Sequence, residues 1–156
     1  MIKDHHPRRK SDRGSSDERA TPQDFFNVCD DEFCFSVDAA ANKRNAKVDR
    51  FWDKKTNGLD QSWKGERVWC NPPYSDIGPW VKKASQFEAT IAVLLVPVWT
   101  DRKWFQALCD PQHRTSHYVD VRFLPGRLKF GMPGKKKQET SGAPFPCMLL
   151  IFRGKQ

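Results

Sequence analysis

The stretch Ile91-Ala92-Val93-Leu94-Leu95-Val96 decides the fold class of this chain. It is apolar at every position, whereas a strand with one solvated face alternates polar and apolar residues. A short, fully apolar run rich in β-branched residues and leucine is typical of a strand that is covered on both faces, as in parallel sheets with helices above and below. The run therefore predicts an α/β fold with a mainly parallel sheet.

The segments on either side of this run alternate between strand-like and helix-like patterns. Strands are expected at residues 33–38, 48–52, 67–70, 118–124 and 147–152. Helices are expected from a start near Thr21, where the hydroxyl could cap the first turn, and at 39–47, 79–87 and 101–109. The last two strands are expected to form an antiparallel pair, joined by a long Gly-, Pro- and Lys-rich loop over 125–146.

Length and composition limit the class of protein. A chain of 156 residues has the size of one domain, and its 38% hydrophobic content is ordinary for a globular protein. No apolar run approaches the roughly 20 residues that a membrane span needs, and the polar N-terminus does not resemble a signal peptide. We therefore expect a flexible polar tail over residues 1–20, a single domain over 21–156, and a cytoplasmic location.

The cysteines do not indicate a metal site. The five cysteines are scattered, contain no Cys-x-x-Cys pair, and are not joined by histidines at ligand spacing. Buried free thiols explain them more simply, and no metal is expected.

The charge distribution points to a polyanionic partner. The formal net charge is +8, and residues 100–156 carry eleven Lys or Arg against four Asp or Glu. A basic surface of this kind is the usual footprint of nucleic acid, because phosphate contacts release condensed counterions. Many basic proteins bind no nucleic acid, so the charge supports this interpretation without deciding it.

The tetrapeptide Asn71-Pro72-Pro73-Tyr74 is the most informative motif. It follows a predicted strand, and the carboxyl ends of such strands face the crevice in which α/β proteins bind ligands. Acceptors on Asn71 and on the Pro72 carbonyl could take both hydrogens of an exocyclic amine and free its lone pair for attack on an activated methyl group. The two prolines fix this geometry, and Tyr74 could stack on a base that has left the duplex.

With these residues in view, the chain resembles the phage-type DNA N-6-adenine methyltransferases, the Dam-like family of bacteriophages and prophages. The resemblance spans roughly residues 21–153. It is carried by the tetrapeptide together with Thr21-Pro22-Gln23, Phe35-Ser36-Val37-Asp38, Asn57-Gly58-Leu59-Asp60 with Trp63, Val68-Trp69-Cys70, the run Phe123-Leu124-Pro125-Gly126-Arg127-Leu128-Lys129-Phe130, and Ala143-Pro144-Phe145-Pro146.

This resemblance implies a Rossmann-like fold that binds S-adenosylmethionine and methylates the N6 amine of a flipped adenine in double-stranded DNA. It places Asp38 at the cationic amine of the cofactor's methionine end, with Thr21 and Pro22 flanking that pocket. Asp53 is then expected at the ribose hydroxyls and Asp60 at the cofactor's adenine. Ala39-Ala40-Ala41 stands where many methyltransferases have a glycine-rich turn. The sequence contains no Gly-x-Gly-x-x-Gly motif, so it does not indicate a dinucleotide cofactor.

The basic residues of the last third are the candidates for DNA contacts. The run Lys135-Lys136-Lys137 would most simply contact phosphates, and Arg122, Arg127 and Lys129 are further candidates. Four alternatives stay open: methylation of RNA, of cytosine N4 or of a protein glutamine, and an inactive DNA-binding module. The basic final third favours nucleic acid over a protein substrate, and the intact tetrapeptide favours an enzyme.

Overall fold

The computed structural model of the chain describes residues 19–109, 119–131 and 143–154. Within these residues, helices and strands occur in the order α1 (Gln23–Phe33), β1 (Val37–Asp38), β2 (Arg67–Cys70), α2 (Gly78–Ala84), β3 (Ile91–Pro97), α3 (Lys103–Cys109), β4 (Val119–Phe123) and β5 (Cys147–Arg153). The strands form one five-stranded sheet of order β1-β2-β3-β5-β4. The α/β class predicted from the sequence is confirmed.

The sheet is mixed, with two parallel and two antiparallel strand pairs. β1 pairs with β2, and β2 with β3, in parallel. β5 is antiparallel to β4, as predicted for the last two strands, but it is also antiparallel to β3 over seven residue pairs. The antiparallel pair therefore does not simply extend a parallel sheet, because β5 inserts between β3 and β4.

The centre of the sheet forms the core. Every residue of β3 is buried, and in β5 only Arg153 is exposed. On one face, Phe26 of α1 packs on Trp69 with 5.3 Å between ring centroids. On the opposite face, Phe87 packs on Phe152 with 5.9 Å between centroids. Both faces are thus covered, as the apolar run at 91–96 predicted.

The predicted strand at 33–38 begins too early. Phe33 is the last residue of α1, and Cys34 ends the helix in the left-handed conformation with a φ of 50°. The Cys34 N–H donates to the Asp30 carbonyl at 2.7 Å, which is the bond that closes the final turn. Only Val37 and Asp38 remain as strand. At the other end, Pro22 is the N-cap and no side chain caps the helix, so the predicted capping role of Thr21 is wrong.

The predicted helix at 39–47 and strand at 48–52 are also wrong. Asn42 and Asn45 accept backbone N–H groups within the segment, and side chains of this type compete with helical hydrogen bonds. The Ala41 N–H donates to the Trp52 carbonyl at 3.1 Å instead of completing a helical turn. Residues 48–52 form only a single parallel bridge, between Phe51 and Asp38. Pairing does not continue because Asp38 is the last residue of β1.

The remaining predicted elements are confirmed with shifted ends. The helix predicted at 79–87 is α2, which ends at Ala84, and Phe87 has a φ of 54°. The helix predicted at 101–109 begins at Lys103, the strand at 118–124 is β4, and the strand at 147–152 reaches Arg153. None of the described helices has the length and apolar character of a membrane span.

The folded part starts before residue 21. Residues 1–18 of the predicted tail lie outside the described residues, but Ala20 forms an antiparallel bridge with Gly131. Its N–H donates to the Gly131 carbonyl at 3.1 Å, and the Gly131 N–H donates back at 2.9 Å. We call residues Arg19–Thr21 the N-terminal strap.

Gly58 permits the close approach of a loop to the end of β1. A Cβ atom at this position would lie 2.1 Å from the Ala39 carbonyl oxygen, a distance that requires a backbone shift. The Gly58 carbonyl in turn accepts the buried Trp63 indole N–H at 2.9 Å. The spacing from Asn57-Gly58 to Trp63, noted in the sequence, therefore has a structural basis.

We expect Gly58→Ala to lower the free energy of unfolding by about 1–3 kcal/mol, the usual cost of overpacking a core contact. Gly78→Ala is the matched control, because its nearest atom would be the Trp104 Cβ at 4.0 Å, and we expect a change below about 1 kcal/mol. Urea unfolding measures both. Equal stability of the two variants would contradict the close approach.

Candidate active site

The parallel register of β1 and β2 brings the two most important predicted residues to one edge of the sheet. Asp38 pairs with Trp69, and Asn71 lies two residues beyond Trp69. The Ala39 N–H donates to the Trp69 carbonyl at 2.8 Å, which continues this register beyond the strand. The end of β1 and the start of the tetrapeptide are therefore neighbours, as expected for the carboxyl ends of parallel strands.

The Asn71 side chain holds an acceptor without a partner. Its Nδ2 donates to the Arg19 carbonyl oxygen at 3.0 Å. A carbonyl oxygen can only accept, so this contact fixes which end of the amide faces the strap. The Oδ1 atom is buried and has no hydrogen-bond partner among the residues that the structure describes. A buried acceptor left unpaired costs free energy, and this is typical of an atom that serves a ligand.

Tyr74 is enclosed by an aromatic cluster. Its ring centroid lies 5.6 Å from that of Phe145 and 6.3 Å from those of both Trp99 and Phe130. The residue is only 8% exposed, so no ring face is open to a base in this conformation. Its hydroxyl is buried beside the weakly accepting Cys147 thiol and has no stronger partner among the described residues. Burial, together with Cys147, raises the pKa of Tyr74 well above its usual value.

Asp38 is a buried carboxylate. It is 3% exposed, and its two oxygens accept the backbone N–H groups of Ala40 at 3.4 Å and of Lys47 at 3.0 Å. Burial raises the pKa of Asp38 to about 6, and the two backbone donors oppose this shift. Among the described residues, no Lys or Arg side chain forms an ion pair with it. The site therefore holds a negative charge that a cationic ligand group would stabilise.

A large cavity opens next to this edge. Its volume is about 650 Å³, within the range of small-molecule sites. One wall is the turn at Ala39–Ala41, where the sequence lacks a glycine-rich turn, and another is Pro73 of the tetrapeptide. The remaining lining is mainly aromatic and polar: Asn42, Asn45, Trp52, Asp53, Lys54, Lys55, Asn57, Gly58 and Trp80.

The two further carboxylates predicted for the cofactor lie differently. Asp53 lines the cavity, and its Oδ1 accepts the Thr56 backbone N–H at 2.8 Å and the Thr56 hydroxyl at 3.0 Å. These donors lower the pKa of Asp53. Asp60 is exposed and is not part of the cavity lining; its Oδ2 accepts from the Asn57 amide at 2.7 Å. Asp60 therefore borders the cavity only through Asn57.

A second, polar cleft adjoins the cavity on the side of the strap. It is lined by Arg19, Thr21, Asp38, Ala40, Asn45, Lys47, Trp69 and Asn71. Ala40 and Asn45 line both spaces, so the cleft and the cavity are adjacent. Thr21 is 3% exposed, whereas Pro22 does not line the cleft and serves as the N-cap of α1. The structure thus brings Thr21, Asp38 and Asn71 together.

The predicted DNA-binding residues divide into three groups. Arg122 forms a bidentate ion pair with Glu32 at 2.6 and 2.7 Å and lies over the Phe33 ring, so its charge is already paired. Arg127 and Lys129 are exposed, next to Phe130, which packs on Tyr74. The run at 135–137 lies outside the described residues. Trp104 and Phe105 of α3 pack on each other with 6.0 Å between ring centroids.

Comparison with known proteins identifies the family. A family model described as DNA N-6-adenine-methyltransferase (Dam) matches residues 9–156. The DNA N-6-adenine-methyltransferase of Haemophilus phage HP1 is 31% identical over 152 residues, which cover 94% of this chain and 83% of that protein. The enzyme of the same name from Escherichia phage T1 is 38% identical over 74 residues, which cover 46% of this chain and 31% of that protein. The chain belongs to the DNA N-6-adenine-methyltransferase family.

For a member of this family, the residues that sequence reasoning missed are Arg19, Trp99 and Phe145. Arg19 was placed in the tail because the surrounding sequence is polar, yet its guanidinium lies 5.7 Å from the Phe145 ring centroid. The match of the family model from residue 9 includes Arg19, which was a usable signal. Trp99 and Phe145 belong to loops, and only the tertiary fold brings them to Tyr74.

The five cysteines divide between the core and the surface. All five cysteines are free; Cys29, Cys70 and Cys147 are buried, whereas Cys34 and Cys109 are exposed, so the prediction of buried thiols holds for three of them. No cluster of three or more His, Cys, Asp or Glu suited to a metal occurs in residues 19–109, 119–131 and 143–154.

The raised pKa of Asp38 predicts a pH-dependent stability difference. The folded state binds a proton that the unfolded state releases between pH 3.8 and about 6, so this residue makes folding less favourable as the pH rises through that window. Relative to the wild type, Asp38→Asn should gain stability from pH 4 to 6, by up to about 3 kcal/mol, and the gain should then level off. Urea unfolding at several pH values measures it.

Asp53→Asn is the control of opposite sign. Because the pKa of Asp53 is lowered in the folded protein, the wild-type residue stabilises the fold above its unfolded pKa, and the variant should lose relative stability as the pH rises through about 4. A stability difference for Asp38→Asn that does not depend on pH would show that the carboxyl is not buried as described.

Proposed function

We propose that this chain transfers a methyl group from S-adenosylmethionine to the exocyclic N6 amine of an adenine that has flipped out of double-stranded DNA. The observation that carries the proposal is the buried, unpaired Oδ1 of Asn71, located at the end of β2 and beside the 650 Å³ cavity. A free acceptor at this point fits an amine that must be bound and activated there. Membership in the family supplies the reaction class.

The sheet supports a Rossmann-like methyltransferase fold for a single catalytic domain that includes the N-terminal strap, and so begins before residue 21. β1, β2 and β3 are parallel neighbours, and both the cleft and the cavity lie at the carboxyl ends of β1 and β2. That is the edge at which open α/β sheets bind ligands. β4 runs in the direction of β3, since both are antiparallel to β5, so four strands share one orientation.

The cavity suits the adenosine part of the cofactor. Trp52 and Trp80 supply flat apolar surfaces for a purine, and Asp53 supplies a carboxylate for ribose hydroxyls. Asp60 acts indirectly, by holding the Asn57 amide at the cavity wall. When bound, the cofactor contributes a methyl group already activated by its sulfonium charge, so the protein needs no strong general base.

The polar cleft suits the methionine part. The Asp38 carboxylate is buried, carries no ion pair within the described residues and so fits the cationic amine of an amino acid. Thr21 places a buried hydroxyl beside it, with Pro22 directing the chain into α1. Asn71 lines the cleft and Pro73 lines the cavity. A cofactor that occupied both spaces would therefore have its methyl-bearing sulfonium close to these two residues.

The tetrapeptide then activates the target amine. Asn71 Oδ1 and the Pro72 carbonyl accept its two hydrogens, which localises the nitrogen lone pair for in-line attack. The nitrogen carries a positive charge once it has taken up the methyl group, and because this cationic form is a strong acid, it then loses one proton to solvent. Pro72 and Pro73 hold the acceptors in place, and Tyr74 stacks on the base once the surrounding rings have separated.

Duplex DNA is the proposed partner. Arg127 and Lys129 are exposed, have no ion pair within the described part of the chain, and lie next to the aromatic cluster, so they suit backbone phosphates close to the flipped base. Lys135, Lys136 and Lys137 are proposed to contact phosphates farther along the duplex. A phage-encoded enzyme of this kind would act in the cytoplasm of its bacterial host.

The deciding experiment is transfer of labelled methyl from S-adenosylmethionine to unmethylated duplex DNA, followed by nucleoside analysis. The expected product is N6-methyladenine. Parallel reactions with single-stranded RNA and with a glutamine-containing peptide test the other acceptors. N4-methylcytosine, labelled RNA or labelled peptide would replace the adenine assignment, and cofactor binding without any transfer would indicate a DNA-binding module.

Asn71→Ala tests the proposed catalytic role of the Asn71 Oδ1 acceptor. We expect methyl transfer to fall by about 10²–10³-fold in kcat, the usual cost of removing one preorganised catalytic hydrogen bond, while cofactor affinity changes little. Asn27→Ala is the control, because Asn27 is exposed and, within the described residues, its side chain bonds to Gln23 on the same helix. Near-normal turnover of Asn71→Ala would remove Asn71 from the catalytic role.

A further inference from the structure

Unpaired polar atoms concentrate in the cleft beneath the strap. Across the described residues, four buried side-chain atoms have no hydrogen-bond partner: Arg19 Nε, Trp69 Nε1, Asn71 Oδ1 and Tyr74 Oη. The first three belong to residues that line the polar cleft. Two of these are donors and one is an acceptor, and the acceptor is already assigned to the target amine. The two donors, on Arg19 and Trp69, have no role in the function proposed above.

Arg19 is held at the site by its backbone. Its carbonyl accepts the Asn71 amide at 3.0 Å, and the next residue, Ala20, exchanges two backbone hydrogen bonds with Gly131. These contacts put the Arg19 side chain between the cleft and the aromatic cluster, with its guanidinium 5.7 Å from the Phe145 ring centroid. The location of the side chain is therefore a consequence of the fold of the strap.

The Arg19 guanidinium has no anionic partner among the residues that the structure describes. None of the described carboxylates forms an ion pair with it, although its Nε is buried. A buried guanidinium N–H without an acceptor is costly, and Arg is the side chain best suited to bind a carboxylate through planar hydrogen bonds. The carboxylate that lines the cleft, on Asp38, accepts hydrogen bonds from two backbone N–H groups and forms no ion pair with Arg19.

The cleft thus carries groups of both signs, as a zwitterion requires. We propose that Arg19 binds the carboxylate of the methionine end of S-adenosylmethionine, with the Trp69 indole N–H as a second donor, while Asp38 binds the amine. This inference rests on the proposed function, because it assigns the methionine end to the cleft. It adds a binding residue in the strap. The carboxylate and the amine of the ligand are then bound by different residues, Arg19 and Asp38.

Binding requires the strap to move. The cleft has a volume of about 10 Å³, room for about one water molecule, so an amino acid group enters only if Arg19–Thr21 shifts outward. The strap is held by the two Ala20–Gly131 bonds and the Asn71 contact, few enough to rearrange when a ligand supplies new ones.

The test compares two ligands that differ only in the carboxylate: S-adenosylmethionine and decarboxylated S-adenosylmethionine, which keeps the amine and the sulfonium. Titration calorimetry gives both affinities for the wild type, Arg19→Gln and Arg19→Lys. We expect Arg19→Gln to lower the affinity for S-adenosylmethionine by about 10- to 100-fold and the affinity for the decarboxylated ligand by less than about 3-fold. Arg19→Lys should restore part of the difference, because it keeps the charge without the planar donors.

Arg102→Gln is the matched control. Arg102 also lies over a ring of the aromatic cluster, 5.2 Å from the Trp99 centroid, but it does not line the cleft, so both affinities should remain at wild-type values. Because the readout is a ratio of two affinities measured on one preparation, partial unfolding of a variant affects both values and leaves the ratio intact.

Three outcomes would overturn the inference. Equal affinity of the wild type for both ligands would show that the carboxylate is not recognised, and an equal loss of both in Arg19→Gln would show a structural role. An unchanged ratio with weaker binding of duplex DNA, measured by fluorescence anisotropy, would assign Arg19 to a phosphate. Failure of the wild type to bind either ligand would instead contradict the proposed function itself.

Discussion

The candidate site depends on the parallel register between β1 and β2. β1 has only two residues, so the register is fixed by few contacts: the two residue pairs, and the backbone bonds from Ser36 to Arg67 at 2.7 Å and from Ala39 to Trp69 at 2.8 Å on either side. A shift by one residue would turn Asp38 to the other face of the sheet, because side chains alternate along a strand. The buried carboxylate and the Asn71 amide would then no longer share a cleft.

The burial of Asp38 is a cost that the rest of the fold has to offset. Its pKa of about 6 means that the ionised form is less stable in the protein than in water, even with two backbone donors. The unpaired atoms of Arg19, Trp69 and Asn71 add further cost at the same place. Unpaired and buried polar groups concentrated at one site, next to a fully buried β3, are the pattern expected where binding has been favoured over stability.

Sequence reasoning succeeded where a local pattern matched the global fold. The apolar sequence at 91–96 correctly predicted a buried strand, and the tetrapeptide lies after a strand, as predicted. It failed at 39–47, where an alanine-rich start favours a helix but long-range bonds to residues 50–52 and the Asn42 and Asn45 side chains impose another path. No local pattern encodes those bonds, since each depends on where β1 ends.

The same limit applies to the site. Asn71 could be chosen from the sequence because it stands in a motif with a chemical purpose, and Asp38 and Thr21 could be chosen because the chain resembles a known family. Arg19 could not, because its importance comes from a backbone contact across 52 residues and from a ring, Phe145, that follows an unrelated loop. Asp60 was also chosen from its motif, but its carboxylate accepts from the Asn57 amide and does not line the cavity.

The aromatic cluster links access to Tyr74 with the basic part of the chain. Phe130 and Phe145, two of the rings that cover Tyr74, stand on either side of the segment that contains Lys135–Lys137. The proposed stacking of Tyr74 on a flipped base therefore requires these rings to separate from it, because the residue is only 8% exposed.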